Sequence, residues 1–316
     1  MGQFLRRYGT LAGFALILIF FSVRLPDTFL TAQNWLNITQ QLSMLLVVAA
    51  GMTVVMVMGD FDLSVGSMAS LSGVVVAVLF TFGWPIWAAV PVALLVGLLG
   101  GVLNGAMVSF IGILPFVATL ATLTIFSGAA FVVSGGKTIS GRAIPDEFGE
   151  FARQGVALGQ VTVPNLTLVA AAVLIVAWVL LEQTTFGRRL YAIGGNVEAS
   201  YLSGVPVRRL KLAAFALTGL AAAGAGLMYA ARVASANPTQ GSGLMLNAVA
   251  AVFLGMTMSE QGEPRLHSTV VGVLILGVLD NGLTQLSVDS YLRQILVGAI
   301  IVAAVSASSL SKGARR

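Results

Sequence analysis

Apolar residues along this chain run in long, nearly unbroken stretches, parted by short polar or glycine-rich interruptions. A helix crosses a bilayer with roughly 20 apolar residues, within a range of about 17–25. Stretches of that kind cover 11–23, 42–58, 68–82, 86–110, 113–134, 165–181, 212–231, 244–258, 268–286 and 291–308. The pattern predicts an all-α polytopic membrane protein with about ten transmembrane helices, some broken or half-length. It is read as a single transmembrane domain over 1–316. A long external loop spans about 135–164, and a charged cytoplasmic loop spans about 182–211. The first stretch follows Arg6 and Arg7 but ends in Phe20-Phe21-Ser22-Val23-Arg24, without a small-x-small cleavage site. It therefore reads as a retained anchor helix.

Two apolar segments are interrupted by glycine and polar residues, at 59–67 and at 234–262. They follow the second and seventh stretches, which run in opposite directions in the predicted topology. Broken helices at matching places in inverted halves point to a transport path. No residue-by-residue repeat accompanies them.

Composition narrows the class. Hydrophobic residues make up 57% and charged residues only 9%, against about 25% charged in a soluble domain. So few charges cannot cover a water-exposed surface, which excludes a soluble globular protein and a disordered one. The chain has no cysteine and a single histidine, His267. Disulfide frameworks, thiolate chemistry and histidine-cluster metal sites are thereby excluded, and no metal or cofactor is expected.

The net charge of +5 arises from basic residues gathered at segment ends, so a membrane lipid surface rather than nucleic acid is their expected neighbour. Placing both termini in the cytoplasm puts Arg6, Arg7, Arg188, Arg189, Arg208, Arg209, Lys211, Arg265, Lys312, Arg315 and Arg316 on the inner face. Arg24, Lys137, Arg142, Arg153, Arg232 and Arg293 then lie outside. The excess inside fits a multi-pass protein of a bacterial inner membrane with both ends cytoplasmic.

Gly97, Gly101 and Gly105 recur every fourth residue on one stretch, and Gly219, Ala222, Ala223 and Gly226 make a similar stripe on another. Small residues at this spacing let a neighbouring backbone approach closely. The stripes serve either static packing or a sliding interface.

Several polar side chains sit inside or between apolar runs. Asp60 and Asp62 belong to Gly59-Asp60-Phe61-Asp62-Leu63-Ser64-Val65-Gly66-Ser67. A carboxylate at membrane depth is costly and is paired, faces a cavity, or is functional. Two residues apart, these acids would not share a helix face, so a turn is predicted there. Asp62 and Ser64 could cap the next helix, and with Asp60 and Ser67 they could line a pathway. Asn104, Asn247, Asp280 and Asn281 are mid-segment residues that could bind a polar cargo or only another helix. Between Glu182 and Lys211, Asn196 is a candidate N-cap and Gly204 a candidate stop for a short helix. That helix would pack on a cytoplasmic partner or lie on the bilayer. Gly136-Lys137-Thr138 resembles the end of a phosphate loop, but Phe131 stands where the loop needs glycine. No catalytic constellation is visible.

These stretches resemble the membrane permease subunit of bacterial ABC importers for monosaccharides, the ribose, arabinose, xylose and galactose type. The likeness rests on the 59–67 motif, on Asn104-Gly105 and on Leu114-Pro115-Phe116-Val117-Ala118-Thr119-Leu120. It rests above all on Thr184-Thr185-Phe186-Gly187-Arg188, Ala192-Ile193-Gly194-Gly195-Asn196 and Ser203-Gly204-Val205-Pro206. The Asp60-Phe61-Asp62 wording leans toward arabinose-type members.

The resemblance implies a roughly ten-helix permease that pairs with a second permease copy, identical or a close paralogue. A periplasmic sugar-binding protein would dock outside and an ATP-binding cassette ATPase inside. The ATPase-coupling helix would map onto Gly194, Gly195, Asn196, Glu198, Ala199, Leu202, Ser203 and Gly204, with Glu198, Arg188 and Arg189 tuning the docking. The family's Asp-Leu-Ser motif would map onto Asp62-Leu63-Ser64, near the inner half of the pathway. The chain departs from the family at 255–264, where two acids and a proline replace a Gly-Gly-x-x-x-x-Gly-Gly turn. Few membrane charges suit a neutral sugar, and the subunit itself would do no chemistry. The rival reading is an ion-coupled secondary transporter using Asp60, Asp62 or Asp280.

Overall fold

The computed structural model describes residues 2–159, 161–259, 262–299 and 302. In chain order the helices begin with α1 (Gly2–Arg24), α2 (Ala32–Met56) and α3 (Val65–Thr81). Next come α4 (Ile86–Ala106), extended by a π-helical turn at Met107–Ile111, and α5 (Pro115–Ser134). After a short helix in the long loop, α6 (Asp146–Arg153), α7 (Asn165–Trp178) ends in a second π-helical turn at Val179–Gln183. Then come α8 (Thr185–Gly195), α9 (Val197–Leu202), α10 (Val207–Val233), α11 (Ser242–Met256) and α12 (Leu266–Gln285).

Among the described residues, six helical spans are long and apolar enough to cross a membrane, and three apolar helices, Gly9–Arg24, Val65–Thr81 and Ser242–Met256, are shorter. Residues 290–299 are also helical. The rest of the tenth predicted segment lies outside the described residues, except residue 302.

The chain is mostly helical, as expected, with two short ladders besides. Strand β1 (Ile139–Ser140) pairs antiparallel with β4 (Ser235–Ala236), and β2 (Gly155–Leu158) forms a hairpin with β3 (Val161–Pro164). These ladders satisfy part of the backbone of the long loop. The loop is also pinned by α6, whose buried Phe148 stacks edge-on against Phe80 of α3 at 5.1 Å between ring centroids.

The chain forms two compact units, residues 43–246 and residues 1–42 with 247–316. The first is built around α3, which is buried along most of its length and packs on α4, α5 and α10. Of the predicted small-residue stripes, Gly97 and Gly101 face Gly219 and Ala223, whereas Gly226 meets Ala69 of α3. A Cβ on Gly97 would collide with Ala223, one on Gly101 with the Phe215 carbonyl, and one on Gly105 would lie 2.8 Å from Leu212 Cα. Gly219 in turn meets the Gly97 carbonyl. Backbone therefore lies on backbone, the close packing by which helices associate without a hydrophobic driving force.

After α10 the chain turns back along α3. Gln240 meets Gly73, and Gly241 meets Gly66 and is held by Ser70, whose Oγ takes the Gly241 N–H at 2.9 Å. The break read at 234–262 thus begins as an irregular segment laid against a buried helix, where protein groups satisfy its backbone.

In the second unit, Phe21, Phe29, Val278 and Leu279 form a core. Gly282 admits the Phe21 ring, and Gly272 admits the Ala251 backbone. Helix α2 begins ten residues earlier than the apolar stretch predicts. Its polar first turns are satisfied by α12: Asn34 Oδ1 accepts from Asn281 Nδ2 at 3.1 Å and from Gln285 Nε2 at 2.9 Å. The atypical turn keeps Gly262 in the left-handed region, φ 70°, while residues 260 and 261 lie outside the described residues.

Candidate transport and coupling site

The predicted turn between α2 and α3 is present, and Gly59 makes it possible by adopting φ 80°. It sends the two acids to different partners. Lys211 Nζ, one turn into α10, sits 2.7 Å from Asp60 Oδ2 and donates to Oδ1 at 3.0 Å. The two side chains are only 16% and 9% exposed, so this is a largely buried ion pair whose attraction is weakly screened.

Asp62 turns the other way. Its Oδ1 accepts from the Ser64 N–H at 2.9 Å and from Ser64 Oγ at 2.6 Å. Asn104 Nδ2, on α4, donates to Ser64 Oγ at 2.8 Å and to both Asp62 oxygens at 3.3 and 3.4 Å. All three side chains are buried. Neither Asp62 nor Ser64 caps α3 by side chain; Asp62 shapes the turn just before the helix. Ser67 Oγ donates to the Ser64 carbonyl at 2.9 Å.

Asp60, Asp62, Ser64, Ser67 and Asn104 thus meet at the root of α3. The other predicted polar residues belong to the second unit. Asn247 is exposed on α11. Asp280 accepts from Arg293 Nη1 at 2.8 Å and from Gln41 at 3.3 Å, and Asn281 bonds Asn34. Asp280 and Asn281 act there as links between helices.

The charged loop is more ordered than its composition indicates. Thr184 caps α8, taking the Gly187 N–H on its Oγ1 at 3.4 Å. Leu190 and Ile193, three apart on one face, are fully buried and anchor α8. A Cβ on Gly194 would collide with the Val57 carbonyl, at the start of the break that holds Asp60. Gly195 meets nothing.

Asn196 is the N-cap of α9, its Oδ1 accepting from the Ala199 N–H at 2.9 Å. Gly204, at φ 77°, closes α9 with its N–H on Tyr201 and the Val205 N–H on Ser200. Ser203 Oγ donates to the Ala199 carbonyl at 2.8 Å. Glu198 lies exposed in the first turn, where a negative charge suits the helix dipole. Arg188 and Arg189 are exposed on α8. Val197, Tyr201 and Leu202 present an exposed apolar face, with Leu202 81% exposed.

Sequence reading names neither Val197 and Tyr201 nor Lys211 among the site residues. An apolar face on a capped helix in a charged loop marks the first two. Nothing local joins Lys211 to Asp60, 151 positions away.

A cavity of about 800 Å³ opens between α2, α4, α7 and α10, lined by residues such as Val54, Val90, Leu94, Val173, Leu217 and Leu220. A sugar needs hydrogen-bonding partners along its path, so this hydrocarbon-walled space does not suit one. Among the described residues no group of three His, Cys, Asp or Glu side chains could hold a metal.

Apolar helices long enough to cross a membrane, a broken helix with a buried polar root and a capped helical hairpin fit a membrane permease. Residues 34–305 match the family described as branched-chain amino acid transport system / permease component, and the chain belongs to it. The ribose import permease protein RbsC of Bacillus subtilis is 39% identical over 301 residues, covering 95% of this chain and 92% of the relative. RbsC of Escherichia coli is 38% identical over 292 residues, covering 92% and 90%. The L-arabinose transport system permease protein AraH of Escherichia coli is 36% identical over 315 residues, covering 100% and 94%. Identity therefore gives no support to the lean toward arabinose drawn from Asp60-Phe61-Asp62. No solved structure matches the chain.

Proposed function

We propose that this chain is the transmembrane subunit of an ATP-binding cassette importer that carries a neutral monosaccharide across a bacterial inner membrane. The observation that carries the reading is likeness over nearly the whole chain to permeases named for ribose and arabinose, at 39% and 36% identity. The apolar face of α9 supports an ATPase partner, because Val197, Tyr201 and Leu202 stand exposed on a helix too short to be stable alone. A periplasmic sugar-binding protein would dock at the opposite end, and a second permease copy would complete the pathway. Both termini would lie in the cytoplasm. The α8–α9 hairpin serves as the coupling element, and the polar root at Asp62, Ser64 and Asn104 lies at the inner end of the path.

The ion-coupled alternative has less support. Asp60 and Asp280 each already hold a cationic partner, Lys211 and Arg293, which leaves them poorly suited to exchange protons during transport. The test is affinity purification of the chain in mild detergent, with mass spectrometry of its partners and reconstituted uptake. A stoichiometric ATPase bearing a phosphate-loop motif, with sugar uptake that requires ATP, supports the importer. Uptake that collapses with the proton gradient at constant ATP supports the alternative.

A further inference from the structure

The coupling hairpin is fastened to the break between α2 and α3 from both sides. Before α9, Gly194 closes on the Val57 carbonyl with no room for a Cβ. After α9, Pro206 leads into α10, and Lys211 reaches Asp60 at 2.7 Å. Val57 and Asp60 lie three residues apart in the one non-helical stretch that leads into α3. From Asp60 the chain passes through Phe61, whose carbonyl takes a hydrogen bond from Thr119 of α5, to Asp62, bound to Asn104 of α4. These contacts tie both flanks of α9 to the turn from which α3 begins.

We propose that the Asp60–Lys211 ion pair is the positioning latch that passes movement of the coupling hairpin to the root of α3. Its loss uncouples ATP hydrolysis from sugar movement without removing the ATPase. Four observations support this: the pair is largely buried, it is two-pronged, it joins positions 151 apart in the chain, and Lys211 closely follows α9 and its exposed apolar residues in the chain. An ion pair suits such a task because it resists separation in a poorly screened site while tolerating small rotations. A tight backbone contact at Gly194 sets the second point of the grip.

The inference rests on the importer reading, and the experiment separates the two. The chain would be reconstituted into proteoliposomes with its ATPase and binding protein. Sugar moved per ATP hydrolysed would be compared for the wild type, Lys211→Met, Asp60→Asn, the exchange Asp60→Lys with Lys211→Asp, and Gly194→Ala. If the wild-type chain binds no ATPase, the importer reading fails before the latch is tested. Given that it does, we expect Lys211→Met and Asp60→Asn to retain the ATPase and hydrolyse ATP, but to move at least about fivefold less sugar per ATP, the lower range of a working coupling energy. The exchange should recover part of that loss, and Gly194→Ala should lower the ratio by itself. A wild-type ratio in the single variants overturns the latch, even if the yield of assembled complex falls, because the pair would then only hold the fold. An exchange no better than either single variant overturns it too. Should Lys211→Met fail to assemble, Lys211→Arg, which keeps the charge, must keep the ratio while Gly194→Ala lowers it; any other pattern counts against the proposal.

Discussion

Asn104 donates its amide to Ser64 Oγ at 2.8 Å, tying the C-terminal end of α4 to the residue from which α3 starts. The same amide reaches Asp62, so one side chain steadies both a buried carboxylate and a helix origin. Asn104→Leu should leave the carboxylate with Ser64 as its main partner and cost about 1–3 kcal/mol. Asn104→Asp should cost more, since it sets a second carboxylate beside the first. Thermal unfolding of the purified protein in detergent would register both. Wild-type midpoints in the two variants would mean the network contributes nothing to stability.

The α4–α10 seam gives a sharp contrast between glycines. A side chain at Gly101 must push into the Phe215 carbonyl, whereas one at Gly224 meets nothing within 4 Å. We expect Gly101→Leu to destabilise by roughly 1–3 kcal/mol or more, as overpacking does. Gly224→Ala should be neutral or stabilising by up to about 1 kcal/mol, the difference in helix propensity. Monodispersity by size exclusion together with the unfolding midpoint decides the comparison.

On α9 the cap and the exposed face should separate. Asn196→Ala removes an N-cap worth about 1 kcal/mol, which is enough to fray a helix of six residues. Leu202→Asp keeps the helix and spoils its apolar face. Both should reduce copurifying ATPase while leaving the unfolding midpoint of the permease nearly unchanged. Full ATPase recovery with Leu202→Asp would move the docking face elsewhere.

Asp280 offers a check on the energy source. Its pair with Arg293 is partly exposed, and such pairs contribute about 0–1 kcal/mol. Asp280→Asn should therefore fold normally, and ATP-driven uptake should persist when the proton gradient is dissipated. Uptake lost in this variant, with normal expression and ATPase binding, would bring the ion-coupled reading back.

Much of this is legible in the sequence where a single segment carries its own signal. The glycine stripes, the turn allowed by Gly59 and the Asn196–Gly204 helix all have local chemistry that admits few alternatives. The start of α2 is hidden for a definite reason. Asn34 and Gln41 are too polar for a hydropathy reading, and they lie in a helix because Asn281, Gln285 and Asp280 on α12 meet them. Helix α8 is hidden too: its arginines dominate the composition, while its two anchors, Leu190 and Ile193, are easily lost among them. The β1–β4 ladder has only two residue pairs, too short for any alternation to show. The Asp60–Lys211 pair is purely tertiary: the sequence marks Asp60 as needing a partner, but nothing local names Lys211, 151 positions away.

The π-helical turns at Met107–Ile111 and Val179–Gln183 both stand where a long apolar helix hands over to the next element. A π turn carries its hydrogen bonds from i to i+5 and so stores one residue more than an α turn. Returning either turn to α spacing would release that residue to the chain beyond it and rotate the next element, with every other bond of the helix intact. After α4 the extra residue lies just ahead of Gly112 and the Pro115 start of α5; after α7 it lies just ahead of Thr184 and α8. Each span therefore ends in a small reserve of thread, held in register and let out in whole stitches.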